Sequence, residues 1–362
     1  MTNKYCEGYP EERLTGNCGR YYGGCEHVNE LEEYCCDMWR AVFNTNYHVN
    51  VQPHSGSSAN MEAFAAVLKP GDTVLAMSLD NGGHLTHGSA VNFSGKLYNF
   101  VFYNVNDEGL IDYDDIEKKI RLYEPKLVLA GASAYSREID FCTIREIIDK
   151  VRVERAMMME YYEPYFMVDM AHIAGLVATG WHQSPFGLAD IVTTTTHKTL
   201  RGPRGGLIFC RQDLAKRIDS AVFPGHQGGP LMHVIAGKAV CAEEALTNDY
   251  KNYIAQVVKN SAAMAKEFMK LGYDVVSSGT HNHMFLVDFS HTHPNLTGKK
   301  VQDELDKIGI TLNKNCVPNE TRSPKETSGV RIGTPAMTTK GWTEKDFIRC
   351  AHIIDATIKG MV

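Results

Sequence analysis

Apolar positions recur along this chain with two periods, and the alternation between them sets the architecture. Leu31, Tyr34, Cys35, Met38 and Val42 recur at three- and four-residue spacing, which predicts a helix over residues 30–43. Short apolar runs then read as buried strands at 49–51, 73–77, 96–103, 126–130, 166–168 and 190–192, with another from Gly206 to Phe209. Between them, helical patterns run up to residue 68, over 112–122 with Asp112 as N-cap, and over 143–153. Strand–helix alternation of this kind predicts a mainly parallel α/β sheet with helices on both faces, whose ligands bind beyond the strand C-termini. The segments carrying Ser57, His84, Ser133, Asp169 and Lys198 all fall at predicted strand ends or helix starts, so they are expected to converge.

After Gly229-Pro230-Leu231-Met232 the pattern turns helical to about residue 246, and again over 250–271. A smaller α/β unit follows, with strands at 273–277, 284–289 and 329–333, a helix over 299–308 and a closing helix from Thr343. The expected organisation is an irregular N-terminal segment over 1–30, a large domain over 31–248, and a connecting helix with a small domain over 249–362.

Composition narrows the picture. The chain has 362 residues and a net charge of −6, which argues against nucleic-acid coating or polybasic membrane binding. No apolar run approaches the ~20 residues needed to span a bilayer. No apolar stretch of a secretory leader follows the first charges. The ten cysteines include no Cys-x-x-Cys pair, so they read as reduced thiols of a cytosolic protein, with no metal site expected.

Chemistry concentrates in a few places. Thr193 to Gly206 places Lys198 between four β-branched threonines and a turn rich in glycine, beside His197, Arg201 and Arg204. A lysine held near other cations is suited to a depressed pKa and a Schiff base; a solvated loop lysine is the plainer alternative. Ser55-Gly56-Ser57 opens a helix, where free N–H groups suit a phosphate or an ordinary cap. Asp169 closes an apolar strand and needs a cationic partner, such as a protonated pyridine nitrogen, or else caps a helix. His172 lies three residues further on. His84, after Gly82-Gly83, can present its imidazole to an aromatic ring, with His87 as a second choice; either can equally be an ordinary loop histidine. Arg331 sits inside an apolar strand and calls for a carboxylate, from an amino acid or from a structural Asp or Glu.

In that order these groups describe an enzyme using pyridoxal phosphate on an amino acid. The wording of the segments closely resembles the serine hydroxymethyltransferase family. The matching stretches are Asn3-Lys4-Tyr5-x-Glu7-Gly8-Tyr9-Pro10, Arg20-Tyr21-Tyr22-Gly23-Gly24, residues 51–60, Gly82 to Gly88, residues 168–176, Thr193 to Gly206, residues 223–237 and residues 328–336. The resemblance implies a fold-type I transferase, with a mainly parallel seven-stranded sheet between helices and a small C-terminal α/β domain. It implies that Lys198 carries the cofactor as an internal aldimine, that Asp169 binds the pyridine nitrogen and that His84 stacks on the ring. Gly56, Ser57 and His197 would serve the phosphate, while Ser133 and His172 would meet the phenolic oxygen. Arg331, with Arg204 and Tyr22, would bind the substrate, and Glu7 would move protons. Tyr5, Glu7, Tyr22, Gly228 and Gly229 would act across a homodimer interface. Leu79, Gly83, Leu85 and Asn315 would contact folate. The implied reaction converts L-serine and tetrahydrofolate to glycine, 5,10-methylenetetrahydrofolate and water. A folate-independent β-hydroxy amino acid aldolase and an inactive cofactor-binding partner subunit are the competing readings.

The chain departs from the family pattern in places. Members carry a longer arm before Asn3-Lys4-Tyr5, including a substrate-site serine, so residues 1–30 read as a truncated N-terminal segment. Insertions are expected at 11–19 and around 155–165, and His226 stands where a glycine is usual. The first insertion separates Glu7 from Tyr22 and could displace either.

Overall fold

The computed structural model describes residues 4–10 and 19–361. Its elements follow in chain order as α1 (Glu26–Phe43), β1 (His48–Asn50), α2 (Gly56–Val67), β2 (Thr73–Met77), α3 (Phe93–Leu97), β3 (Asn99–Tyr103), α4 (Tyr113–Tyr123), β4 (Leu127–Ala130), α5 (Phe141–Met157), β5 (Tyr165–Asp169), α6 (Ala174–Thr179), β6 (Ile191–Thr195) and β7 (Gly206–Cys210). Then come α7 (Ala215–Ser220), α8 (Met232–Ala245), α9 (Asn248–Lys270), β8 (Asp274–Val275), β9 (Met284–Asp288), α10 (Gly298–Lys307), β10 (Asn313–Asn315), β11 (Gly329–Gly333), α11 (Pro335–Thr339) and α12 (Glu344–Lys359).

Seven strands form one sheet in the order β1-β7-β6-β5-β4-β2-β3. Only β7 runs against its neighbours, so the sheet is mainly parallel, as the strand–helix alternation predicts. Its two faces pack into separate apolar clusters under the flanking helices. A second sheet, β10-β11-β9-β8, is antiparallel and has a third cluster of its own. Helix α9 straddles the two parts: Tyr250, Ile254 and Val257 pack with the large sheet, and Met264 and Phe268 with the small one.

Local chemistry sets the boundaries. Asp112 accepts a hydrogen bond from Asp115 N at 2.9 Å and caps α4, as expected. Asp140 does the same for α5 through Thr143 N at 3.0 Å, which starts that helix at Phe141, two residues before the predicted position. The expected strand over 96–103 is split. Asn92 accepts from Ser94 N and caps the short α3, so β3 begins only at Asn99. Strand β10, Asn-Lys-Asn, has no apolar signature and escapes sequence reading, although it pairs in register with Asn313 opposite Arg331. Around the second insertion α5 continues to Met157, and Met159 and Tyr161 stand almost fully exposed before β5.

Candidate active site

Helix α2 starts at the mouth of the large sheet. Ser55 is its N-cap: its Oγ accepts from Ser58 N at 3.1 Å while Ser58 Oγ accepts from Ser55 N at 2.8 Å. That box spends Ser55 and Ser58 on the cap, and leaves the N–H groups of Gly56 and Ser57 open where they line a cavity of about 160 Å³. Gly56 is confined by packing, since a Cβ there would strike Thr195 Cγ2 at 2.5 Å. The same cavity is lined by His84, His87, Ser133, Asp169, His172, His197, Lys198 and Arg204. The loops after β2, β4, β5 and β6 therefore meet, as their placement at strand ends predicts.

Asp169 ends β5 with its carboxylate held by three contacts, one on Oδ1 and two on Oδ2, which leaves Oδ1 room for a further donor. Oδ1 accepts from Ala171 N at 3.0 Å. Oδ2 accepts from Asn60 Nδ2 at 2.8 Å and meets His87 Nε2 at 3.1 Å. Burial alone would raise the Asp169 pKa, yet the His87 bond and the nearby cations hold it well below the ordinary carboxylate range, so it stays an anion at the cavity wall. The His84 imidazole is fixed by a 2.7 Å contact between Nδ1 and Thr86 Oγ1, and burial pulls its pKa down to about 4. It is therefore a neutral ring, suited to stacking. His84, His87 and Asp169 bring donor atoms within 4.8 Å of one another, and the bonds just named already occupy most of them.

Lys198 follows β6 in a loop closed by Gly202 N to Thr196 O at 2.7 Å. Among the described residues nothing accepts a hydrogen bond from its Nζ. Burial lowers its pKa, Asp169 opposes that shift, and Arg331 and Arg204 reinforce it. Beyond Lys198 a second cavity, of about 610 Å³, opens between the two sheets; His172, His197 and Lys198 line both. Arg331 lines the second. It donates from Nε to Asn313 Oδ1 at 3.0 Å and from Nη1 to the Ser133 carbonyl at 2.6 Å. Among the described residues no carboxylate pairs with it, and burial lowers its pKa.

A family model described as serine hydroxymethyltransferase matches residues 1–354. The chain belongs to the serine hydroxymethyltransferase family. It is thereby a pyridoxal-phosphate-dependent enzyme of that type, and the family takes tetrahydrofolate as a substrate. The cavity suits the cofactor on its own evidence. It has open helix N–H groups for a phosphate, an anion for a ring nitrogen and an unengaged amine. Two buried polar atoms beside it, Thr195 Oγ1 and His197 Nδ1, have no hydrogen-bond partner among the described residues.

Other residues that the serine hydroxymethyltransferase resemblance nominates lie apart. Tyr5, Glu7, Tyr22, Gly228 and Gly229 line neither cavity. They form a cluster of their own: Tyr5 and Tyr22 rings lie 5.4 Å apart, and a Cβ on Gly229 would meet Glu7 Cδ and Oε1 at 3.4 Å. Among the described residues nothing partners the buried Glu7 Oε2. Residues 11–18 lie outside the described residues, but the chain returns so that Tyr21 N donates to Glu7 O at 2.9 Å. Leu79, Gly83, Leu85 and Asn315 also lie outside both cavities, with the Leu79 and Leu85 side chains exposed.

Sequence reading misses Asn60, which donates to both Asp169 and Thr86 Oγ1 and accepts from Thr193 Oγ1 at 2.6 Å. Its one signal is helical: it lies four residues beyond Gly56, on the same face of α2. His283, whose ring stacks 5.6 Å from His172, carries no local signal at all.

Proposed function

We propose that the enzyme transfers the hydroxymethyl group of L-serine to tetrahydrofolate, giving glycine, 5,10-methylenetetrahydrofolate and water, with pyridoxal phosphate joined to Lys198. The observation that carries this reading is the position of Lys198, whose unengaged amine is shared between a cavity suited to the cofactor and one containing a half-buried guanidinium with no carboxylate partner among the described residues. When bound, the cofactor supplies an electron sink for bonds broken at the amino acid Cα.

The chain's own residues do the rest. The N–H groups of Gly56 and Ser57, with the Ser57 hydroxyl and His197, hold the phosphate. Asp169 holds the proton on the ring nitrogen, itself oriented by His87 and Asn60. His84 covers one ring face, and Ser133 and His172 bound the phenolic edge. Arg331, supported by Arg204, grips the substrate carboxylate and so selects which Cα bond aligns for cleavage. Glu7 moves the proton of the serine hydroxyl or the folate amine. Its isolation from Lys198 within one chain supports a homodimer, or a dimer of dimers, in which Tyr5, Glu7, Tyr22, Gly228 and Gly229 complete the neighbouring site. Leu79, Gly83, Leu85 and Asn315 take folate. No disulfide joins the described cysteines, which supports a reducing, cytoplasmic setting. Functionally, residues 31–248 bind the cofactor and 249–362 bring Arg331 to it.

The test is to load the purified protein with pyridoxal phosphate, confirm its bound absorbance, and follow serine cleavage with and without tetrahydrofolate. Cleavage that depends on folate supports the transferase. Equal rates in both arms identify an aldolase, and a loaded protein with no turnover in either identifies a partner subunit.

A further inference from the structure

Glu7 lies on a short, irregular segment with no helix or strand to hold it, yet three consecutive carbonyls around it are all engaged. Tyr21 N donates to Glu7 O at 2.9 Å. The carbonyls on either side, of Cys6 and Gly8, both accept from one atom, Arg20 Nη1, at 2.9 Å each. Arg20 is itself a buried hub. Its Nη2 meets Glu32 Oε2 at 2.6 Å, its Nε donates to Asn29 Oδ1 at 2.9 Å, and its side chain is 2% exposed against 0% for Glu32. Gln52 closes the ring, donating from Nε2 to Gly8 O at 3.0 Å and to Glu32 Oε1 at 3.0 Å. Gly8 itself has φ +100°, and a Cβ there would meet the Gly19 carbonyl at 3.0 Å, so the peptide has a single way to sit.

Arg20 serves four acceptors at once, two carbonyls, a carboxylate and an amide oxygen, from three nitrogens in one plane; a lysine ammonium, with three N–H on a single atom, cannot serve all four. The consequence lies in where Glu7 points. With its backbone clamped, its carboxyl is set against Gly229, with Oε2 buried and unpartnered. Among the described residues the buried oxygen of this half-buried side chain has no hydrogen bond of its own to fix it, so its place is set through the backbone. Helix α1, through Glu32, and the Gln52 segment that leads to the α2 cradle are what over-determine it.

We infer that Arg20 is a positioning residue for Glu7, clamping the carbonyls on either side of it so that its carboxyl is delivered in one orientation to the proton-transfer step. The inference rests on the proposed role of Glu7. It also gives Arg20 a reason to stand where it does: it ties residues 19–24 back onto the carbonyls beside Glu7.

The test is a double-mutant cycle on the pyridoxal-phosphate-loaded, full-length enzyme, with serine and tetrahydrofolate. Arg20→Lys keeps a cation for Glu32 but has three N–H on one atom for the four acceptors that Arg20 serves, so it cannot hold Glu32 and both carbonyls in the same geometry. Its kcat is expected to fall about 100-fold, the scale of a misplacement near 1 Å. Bound-cofactor absorbance and glycine affinity are expected to stay as in the parent. In a Glu7→Gln background the same substitution is expected to cost nothing further, because Arg20 acts through Glu7. An equal loss in both backgrounds, or an unchanged kcat in Arg20→Lys, overturns the inference. Full activity in Glu7→Gln alone overturns the assignment of Glu7, and this one with it. If Arg20→Lys does not fold, Gln52→Met removes one donor to Gly8 and leaves the Arg20–Glu32 pair; the same cycle then decides, with a smaller loss that must again vanish in Glu7→Gln.

Discussion

The Arg331 guanidinium reaches across from the small sheet to donate to the Ser133 carbonyl, at the end of β4, at 2.6 Å. One hydrogen bond therefore joins the two parts at the point where both cavities meet. Asn313, opposite it in register on β10, takes its Nε. The second terminal nitrogen has no such partner, and among the described residues there is no anion for the charge. An incoming carboxylate completes the site. Arg331→Ala is expected to weaken glycine and serine binding by tenfold to a hundredfold, matching the ~1.5–3 kcal/mol of a charged hydrogen bond. Pyridoxal phosphate loading is expected to be unaffected. Equilibrium titration of the loaded protein with glycine measures both, and unchanged affinity would contradict the assignment.

Lys198 differs from an ordinary lysine in two ways: nothing holds its amine, and burial with Arg331 and Arg204 lowers its pKa from 10.5 despite Asp169. The free amine is the reactive form. The rate of cofactor loading should therefore rise with pH through a midpoint below 10.5, and Lys198→Arg should abolish the covalent linkage while leaving room for weak binding. Stopped-flow loading across a pH series reads this directly. A midpoint at or above the ordinary lysine value would contradict it.

These two residues also show how far sequence alone reaches. Lys198 is legible because its chemistry is written locally: β-branched residues before it, glycines and a proline after it, and cations beside it. The strands are legible because a parallel sheet buried on both faces demands continuous apolar runs. What escapes is whatever depends on which strand lies beside which. His87 follows β2 and Asp169 ends β5, and only the strand order brings them to 3.1 Å. Strand β10 escapes because its Asn-Lys-Asn sequence owes its extended form to pairing with β11 rather than to propensity. The Arg20 clamp escapes because the carbonyls it joins lie 14 and 12 residues away in sequence, with no periodicity to link them.

Gly83 provides a further separation of roles. The family resemblance places it at folate, but here its backbone packs on the end of β2. A Cβ would meet Met77 O at 2.3 Å and Ser78 O at 2.9 Å, both backbone atoms that cannot swing aside. Gly83→Ala is therefore expected to cost about 1–3 kcal/mol of stability, as overpacking does, and to impair all activities together. Thermal unfolding beside folate and serine kinetics tests this. A raised folate KM at unchanged stability would return Gly83 to a purely ligand-contacting role.

Glu62 gives a pH dependence whose sign can be worked out. It lies on α2, fully buried, with neither carboxyl oxygen partnered. Burial raises its pKa from 4.5 to about 8, with Lys238 opposing the shift. Between those values the folded chain keeps a proton that the unfolded chain has released, so stability falls as pH rises through that window. The slope from this group is about 1.4 kcal/mol per pH unit at most. Lys238, donating to Val51, Pro53 and Gly206 carbonyls at 2.6, 3.0 and 2.8 Å, has its pKa lowered by burial from 10.5 to about 8, so it acts in the separate window above. Glu62→Gln keeps the shape and removes the titration. The variant is expected to match the parent near pH 4.5 and to exceed it increasingly up to pH 8. Denaturant unfolding at pH 5, 6.5 and 8 measures the difference, and two parallel stability curves across that range would contradict the buried, proton-holding carboxyl.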